Sequence, residues 1–247
     1  MAYSYIHFFL FIFLLPFNTS AQNNGTVSVG STLTANETSR PWLSPSGDFA
    51  FGFWKLQEKD QFLLSIWYAK IPDTVVWFNN TLDPVSQGST VDLDQTGLVL
   101  RDPQGRLLWK TDLADDVDHG FMNDTGNFII KRNDNLNLWE SFYFPADTIL
   151  PMQDLLPGRS VLISRKSETN FTRGRFYLRF LENGNLVLTT KSNPRNEKDD
   201  DEYYNSQTSD AANNGLASGI RVVFDERGSM HILRRNNQTA DLVKINA

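Results

Sequence analysis

The sequence predicts an all-β protein, and three observations support this fold class. Helical periodicity is scarce, whereas short apolar runs bounded by Gly, Asn, Asp or Pro recur at intervals of roughly 8–12 residues. Aromatic residues, which pack well on the faces of sheets, make up 13% of the chain. A hairpin-like unit also repeats along the chain. The predicted strand cores are 49–53, 62–68, 74–77, 98–100, 107–109, 128–130, 176–180, 186–188, 220–224 and 230–233.

The composition excludes several classes of site. The chain has 247 residues and a formal net charge of −6, which disfavours a nucleic-acid partner because the chain would repel a phosphate backbone. It contains no Cys, so disulfides, thiolate zinc sites, iron–sulfur clusters and Cys nucleophiles are excluded. We therefore expect a fold that is held together by core packing alone.

The first 21 residues are expected to be a signal peptide. The apolar run 8–17 is about half the length that spans a bilayer. Thr19 and Ala21 follow it at the spacing of a signal-peptidase site, although no Lys or Arg precedes the run. No later apolar stretch approaches membrane-spanning length. The sequence thus predicts a chain that is secreted to the extracellular space, the apoplast in a plant.

Secretion gives meaning to the N-glycosylation sequons, since each requires a surface position in the secretory route. The alternative interpretation is that these Asn and Thr residues simply form turns. The predicted glycosylation sites are Asn24, Asn36, Asn79, Asn123, Asn170 and Asn237.

The internal repeat predicts hairpins that pack together. Turn glycines at positions 97, 126 and 184 lie 29 and 58 residues apart, and tryptophans at 77, 109 and 139 step by 32 and 30. In each unit the Gly supplies a positive φ where the chain reverses, and the Trp ends the partner strand. A single hairpin cannot bury a Trp, so we expect Trp77, Trp109 and Trp139 to meet around one axis. A looser copy surrounds Gly228.

The repeat weakens between residues 141 and 174, where Pro145, Pro151 and Pro157 occur. We therefore divide the chain into a first domain at 22–148 and a second at 149–247. The polar stretch 193–214, with four acidic residues at 199–202, is expected to be an exposed loop. It lacks the glycine and the ligand spacing of a calcium loop, and the acidic group at 115–119 is expected to be solvated. No metal and no cofactor are predicted.

Several strings resemble the bulb-type (monocot mannose-binding) lectin domain, in the arrangement of the ectodomain of plant G-type lectin S-receptor-like serine/threonine kinases. They are GDFAFGF at 47–53, IWY at 66–68, TVVW at 74–77, DTGN at 124–127, and WESF with PADTILP within 139–151. The resemblance runs from about residue 27 to 243. It implies a β-prism II fold, with three four-stranded sheets related by a pseudo-three-fold axis, and a second, degenerate lectin-like domain in tandem. Cys-rich modules, a membrane span and a kinase would follow in the full-length relatives at the plasma membrane, and this sequence contains none of them.

The resemblance also implies a mannose site, Gln-x-Asp-x-Asn-x-Val-x-Tyr on one strand, whose alternate residues face the same side. The three copies here are Leu93, Gln95, Gly97, Val99 and Arg101; Asn123, Thr125, Asn127, Ile129 and Lys131; and Leu181, Asn183, Asn185, Val187 and Thr189. No copy is intact. The candidate carbohydrate-binding residues are Asn123, Asn127, Ile129, Asn183, Asn185 and Val187.

Three considerations weaken the inherited sites. Each lost hydrogen bond removes about 0.5–1.5 kcal/mol, and a millimolar affinity corresponds to only about −4 kcal/mol. The alternative interpretation of Asn127 and Asn185 is that they are hairpin-turn residues bonded to the backbone. A glycan on Asn123 would cover its own face of the sheet.

Two functions therefore follow from the sequence. The first is a secreted, non-enzymatic carbohydrate-recognition protein, either a receptor-kinase ectodomain fragment or a soluble relative, that binds a mannose-type glycan weakly. The second is a protein-interaction module on the lectin scaffold, with a cell-surface receptor or another lectin-domain protein as partner. An enzyme is not expected, because the sequence shows no Gly-x-Ser-x-Gly motif and no phosphate-binding loop.

Overall fold

The computed structural model describes residues 24–57, 60–71, 73–81, 83–114, 116–191, 200–209 and 215–243. The predicted signal peptide lies outside these residues. Within them, no helix is long and apolar enough to cross a membrane.

The described residues of the first half form thirteen strands and one 3-10 turn, η1 (Ser141–Tyr143). The strands are β1 (Thr26–Ser28), β2 (Thr32–Thr34), β3 (Trp42–Leu43), β4 (Phe49–Lys55), β5 (Gln61–Tyr68), β6 (Val75–Phe78), β7 (Val85–Ser86), β8 (Thr90–Asp94), β9 (Gly97–Arg101), β10 (Leu107–Lys110), β11 (His119–Met122), β12 (Phe128–Lys131) and β13 (Asn137–Glu140).

These strands form three antiparallel sheets. Sheet A has the strand order β1-β11-β12-β13, sheet B the order β10-β9-β8-β2, and sheet C the order β3-β4-β5-β6, with the short strand β7 also paired to β5. The inner faces of all three sheets contribute to one hydrophobic core, through residues such as Met122, Val91 and Ile66. The all-β prediction and the β-prism arrangement of the first half are confirmed.

The three tryptophans of the repeat meet in this core. Each is the penultimate residue of an edge strand and pairs across the ladder with an aliphatic residue of the neighbouring inner strand. The ring centroids of Trp77 and Trp139 are 6.1 Å apart, and those of Trp109 and Trp139 are 6.5 Å apart, both in edge contact. The indole N–H of Trp77 donates to the carbonyl oxygen of Phe144 at 2.7 Å. The prediction that these indoles converge is therefore confirmed.

A hydroxyl two residues after the Trp position completes the units of sheets A and B, and no sequence pattern had singled it out. The Oγ1 of Thr111 accepts the amide of Leu98 at 3.0 Å, and the Oγ of Ser141 accepts that of Phe128 at 2.9 Å. These amides follow the turn of each hairpin, where the ladder leaves the donor without a partner. Asn79 occupies the equivalent position in sheet C, where its own amide donates to Leu64.

The second half contains two sheets in its described part. The strands are β14 (Asp154–Leu155), β15 (Val161–Arg165), β16 (Arg173–Phe180), β17 (Leu186–Lys191), β18 (Asp200–Asn205), β19 (Gly219–Phe224), β20 (Met230–Arg234) and β21 (Thr239–Val243). Sheet D has the order β14-β19-β20-β21, and sheet E the order β15-β16-β17-β18. They enclose a separate core that includes Leu155, Phe180 and Ile232.

The described residues of the second half form two four-stranded sheets. Tyr204, which takes the Trp position of sheet E, is 39% exposed, whereas Trp139 is 7% exposed. One expectation about the second half needs correction. The stretch 193–214 is not a continuous loop: Asp200–Asn205 is strand β18, and its residues Asp200, Asp201, Glu202, Tyr204 and Asn205 pair with β17. Residues 192–199 and 210–214 lie outside the described chain.

The two halves contact each other through the outer face of sheet C. The ring of Phe171, from the loop after β15, lies edge-on to Phe78 with centroids 5.2 Å apart. The guanidinium of Arg165 lies 4.6 Å from the Phe171 centroid, and its Nε donates to the largely buried carboxylate of Asp147 at 2.6 Å. Aromatic packing and a charge-assisted hydrogen bond thus join the halves.

We expect Phe171→Ala to loosen this junction, because it removes the ring that fills the space between Phe78 and Arg165. The predicted cost is about 2–3 kcal/mol, below the about 3–5 kcal/mol of a fully buried Phe→Ala change, because the ring is only half-buried. Limited proteolysis within 145–157 should become faster, and thermal unfolding should resolve into two transitions. The matched control is Phe176→Ala, which removes the same side chain from a 56% exposed position. Equal effects of the two changes would contradict the assignment of the junction.

Candidate functional site

The outer face of sheet A contains the best-preserved candidate site. Two cross-strand rows face outward, and strand register aligns them. One row consists of Thr26, Phe121, Ile129 and Glu140, and the neighbouring row consists of Ser28, His119, Lys131 and Asn137. Because alternate residues of a strand face the same side, both rows lie on the face opposite the core. We call this set face A.

Face A combines an apolar centre with polar groups around it. Ile129 is buried between half-buried Phe121 and Glu140, and the Nζ of Lys131 lies 5.9 Å from the Phe121 ring centroid. The Glu140 carboxylate accepts one hydrogen bond from the Nδ2 of Asn127 at 2.7 Å and one from the Nδ2 of Asn137 at 2.9 Å. The Glu140 carboxylate is thus held in a fixed orientation on one side of Ile129, and the Lys131 ammonium lies near Phe121 on the other side.

Asn127 itself serves the fold. It is 4% exposed, and its Oδ1 accepts hydrogen bonds from the Oγ of Ser141 at 3.1 Å and from the amide of Phe142 at 3.2 Å. Its side chain therefore joins the β11–β12 turn to η1. Asn123 shapes the same turn, because its Oδ1 accepts the amides of Thr125 and Asn127, both at 3.0 Å.

The second-domain candidates show the same use of asparagine. The Oδ1 of Asn185 accepts the amides of Thr208 at 2.8 Å and Ser209 at 3.2 Å, and the Oδ1 of Asn183 accepts the amide of Asn185. Val187 is buried, as are Thr189 and Lys191, the next two residues that alternate along β17. The outward-facing residues of β17 are therefore buried, and this face of sheet E presents less open surface than face A.

Sheets B and C present poorer versions of the site. On sheet B the Asn position is Gly97, at φ +116, where a Cβ would collide with the Oγ1 of Thr111. No side chain is available there to bond a ligand. On sheet C the corresponding strand is β5, whose outward residues Leu63 and Ser65 are buried. The contact of Phe171 with Phe78 covers part of that outer face, a long-range contact that the sequence did not indicate.

The sequons occupy unequal positions. Asn24, Asn170 and Asn237 are exposed, Asn36 and Asn123 are half-buried, and Asn79 is 8% exposed. The Nδ2 of Asn79 is buried and has no hydrogen-bond partner among the described residues, so a glycan linked there would require local displacement of the fold.

A charged cluster supports the turn beside Asn123. The carboxylate of Asp124 accepts the amide of Ser46 at 2.8 Å, and this bond holds the pKa of Asp124 below its usual value. A hydrogen bond from Lys70 similarly lowers the pKa of Asp48. Both carboxylates are thus ionised at neutral pH. Across the described residues, no group of three or more His, Asp or Glu side chains is arranged to hold a metal ion.

Comparison with known proteins identifies this type of domain. Residues 74–161 match the family model described as D-mannose binding lectin. The chain is 43% identical to the G-type lectin S-receptor-like serine/threonine-protein kinase RLK1 of Arabidopsis thaliana, over 95% of this chain and 30% of that protein. It is 36% identical to the corresponding kinase LECRK2 of Oryza sativa subsp. indica, over 94% of this chain and 29% of that protein. The chain thus spans about three-tenths of the length of these relatives.

Solved lectin structures show weaker similarity. The Scilla campanulata fetuin-binding agglutinin, a two-domain lectin, matches with a TM-score of 0.30 and 19% identity over 86% of this chain and 80% of its own. A Japanese Marasmius oreades lectin matches with a TM-score of 0.34 and 14% identity over 47% of this chain and 89% of its own. On the sequence matches, the chain belongs to the bulb-type lectin-domain family that includes the plant G-type lectin S-receptor-like kinases.

Proposed function

We propose that this chain is a non-enzymatic, extracellular carbohydrate-recognition module that binds a mannose-type glycan weakly on face A. The observation that supports it most is the arrangement of Phe121, Ile129, Lys131 and Glu140. An apolar centre stands between an ammonium and an oriented carboxylate on adjacent strands. The module is either the ectodomain portion of a receptor kinase or a soluble relative of one.

The chemistry of face A suits a sugar ring. The C–H face of a pyranose packs against the half-buried ring of Phe121 beside buried Ile129, while Lys131 donates to ring hydroxyls and Glu140 accepts from them. Few polar groups are available on an open sheet face, so the expected affinity is in the millimolar range, about −4 kcal/mol.

A second candidate is a protein-interaction module without sugar affinity. It is favoured by the internal hydrogen bonds of Asn127 and Asn185, which divert both candidate amides from a ligand. Exposed Tyr143 and Phe144 also offer an apolar surface, and the Phe144 ring stacks on Trp139 with centroids 5.6 Å apart. Its partner would be a cell-surface receptor or another lectin-domain protein.

The test uses the chain produced without N-glycans, on a glycan array and then by calorimetry with the best ligand. We expect Lys131→Ala to weaken binding about tenfold, since a hydrogen bond to a charged group contributes about 1.5–3 kcal/mol. The matched control is Arg101→Ala, which removes a cation from the equivalent position on sheet B. An array without specific, competable signals would favour the protein-interaction module, and equal losses in the two variants would overturn the assignment to face A.

A further inference from the structure

We propose that Asn123 carries an N-glycan that lies over face A and limits access to it. This inference rests on the proposed extracellular function, because N-glycans are added in the secretory route. Asn123 is then a modification site that controls access to face A. The chain with this glycan and the chain without it therefore differ in their affinity for sugar.

The side chain of Asn123 is arranged to accept the modification without loss of the turn. Its Oδ1 accepts the amide and the hydroxyl of Thr125 and the amide of Asn127, at 3.0, 2.7 and 3.0 Å. Within the described residues, no hydrogen bond involves its Nδ2. Because a glycan is linked to Nδ2, all three turn hydrogen bonds remain when the sugar is attached.

The attachment position lies at one end of face A. Asn123 contacts Asn127, which directly precedes β12, and Ile129 follows Asn127 two residues later, about 7 Å along the strand. The first sugars of a glycan on Asn123 therefore start beside the apolar centre of the face. The sequon at Asn24 lies at the same end of sheet A, since the amide of Met122 donates to the carbonyl of Gly25 at 2.9 Å.

Two other sequons provide contrasts within the same chain. Asn170 forms the same kind of turn, with its Oδ1 accepting the amide and hydroxyl of Thr172 at 3.1 and 2.7 Å, but it lies in the second half, on the loop before β16. Asn79 also accepts from Thr81, yet its Nδ2 is buried. We therefore expect Asn123 and Asn170 to be modified and Asn79 to remain unmodified in the folded, secreted protein.

The experiment compares the chain secreted from plant cells with its Asn123→Asp and Asn170→Asp variants. Aspartate keeps the oxygen that accepts the turn hydrogen bonds and removes the attachment point. Three measurements are made on each: glycopeptide mass spectrometry, the rate at which an amine reagent labels Lys131, and affinity for arrayed mannose-terminated glycans. Native treatment with peptide N-glycosidase, which leaves an aspartate at every attachment position that it cleaves, provides a second route to an uncovered face A without refolding.

We expect Lys131 to be labelled several times faster in the Asn123→Asp variant, and we expect this variant to bind glycans about tenfold more tightly. A tenfold change corresponds to a face A that is uncovered one-tenth of the time in the glycosylated chain. Asn170→Asp should change neither. An unmodified Asn123 in the secreted protein, or equal labelling of Lys131 with and without its glycan, would overturn the proposal. Faster labelling of Lys131 without any sugar binding would support the glycan over face A and overturn the proposed sugar binding. Failure of this inference and failure of the proposed function are therefore distinguishable.

Discussion

Replacement of Trp139 with Ala is expected to lower the free energy of unfolding of the first half by about 3–5 kcal/mol. Trp139 lies between Trp77 and Trp109 and is the residue that both of the other indoles contact. Its removal leaves a cavity where the inner faces of three sheets meet, and close-packed neighbours collapse only partly into such a space. Thermal unfolding followed by near-ultraviolet circular dichroism should show a midpoint about 10 °C lower.

The control for this change is Phe144→Ala. Phe144 stacks on the same indole but is exposed, so its truncation opens no cavity and should cost well under half as much. A similar midpoint for Trp139→Ala and wild type would show that the three indoles do not hold the sheets together. The Trp-centred account of the repeat would then have to be abandoned.

Replacement of Asn127 with Ala is expected to cost about 2–3 kcal/mol of stability, because it leaves the partly buried amide of Phe142 and the buried hydroxyl of Ser141 with one partner fewer. It also releases the Glu140 carboxylate from one of its two amide donors. Urea unfolding of the variant should show a lower midpoint with an unchanged slope. This prediction separates a structural asparagine from a sugar ligand, since removal of an exposed ligand residue should leave stability unchanged.

Asn137→Ala is the matched control for Asn127. Asn137 also donates to Glu140, at 2.9 Å, but it is exposed on the edge strand β13. Its replacement should change stability by less than about 0.5 kcal/mol. If the two variants were equally stable, the hydrogen bonds of Asn127 to Ser141 and Phe142 would contribute nothing to the fold, and a direct role in binding would regain support.

Much of the first half could be predicted because its determinants are local. Asp/Asn-x-Gly turns, apolar strand cores and the spacing of tryptophans act over about 30 residues, and each fixes one hairpin. The convergence of Trp77, Trp109 and Trp139 followed from the fact that no single hairpin buries an indole. Strand β18 was missed because its acidic start indicated a loop, while its pairing depends on the neighbouring strand β17.

The candidate site was less predictable. The family resemblance placed Asn123, Asn127 and Ile129 in one copy of the site, but it could not show that Asn127 bonds to Ser141, fourteen residues away in sequence. Nor did it indicate the roles of Phe121 and Glu140, which join face A through the register of strands β11 and β13. A register of this kind is set by the packing of the inner face and is not encoded in any one strand.

The amino-acid sequence by itself determined the all-β class, the repeated hairpins and the family to which they belong. Only the tertiary structure decided which faces remain available. Contacts between residues 93 positions apart, such as Arg173 with the carbonyl of Asn80, bring the second half over the edge of sheet C. The physical reason is that strand and turn formation depend on neighbouring residues, whereas the burial of an outward side chain depends on what the folded chain later places against it.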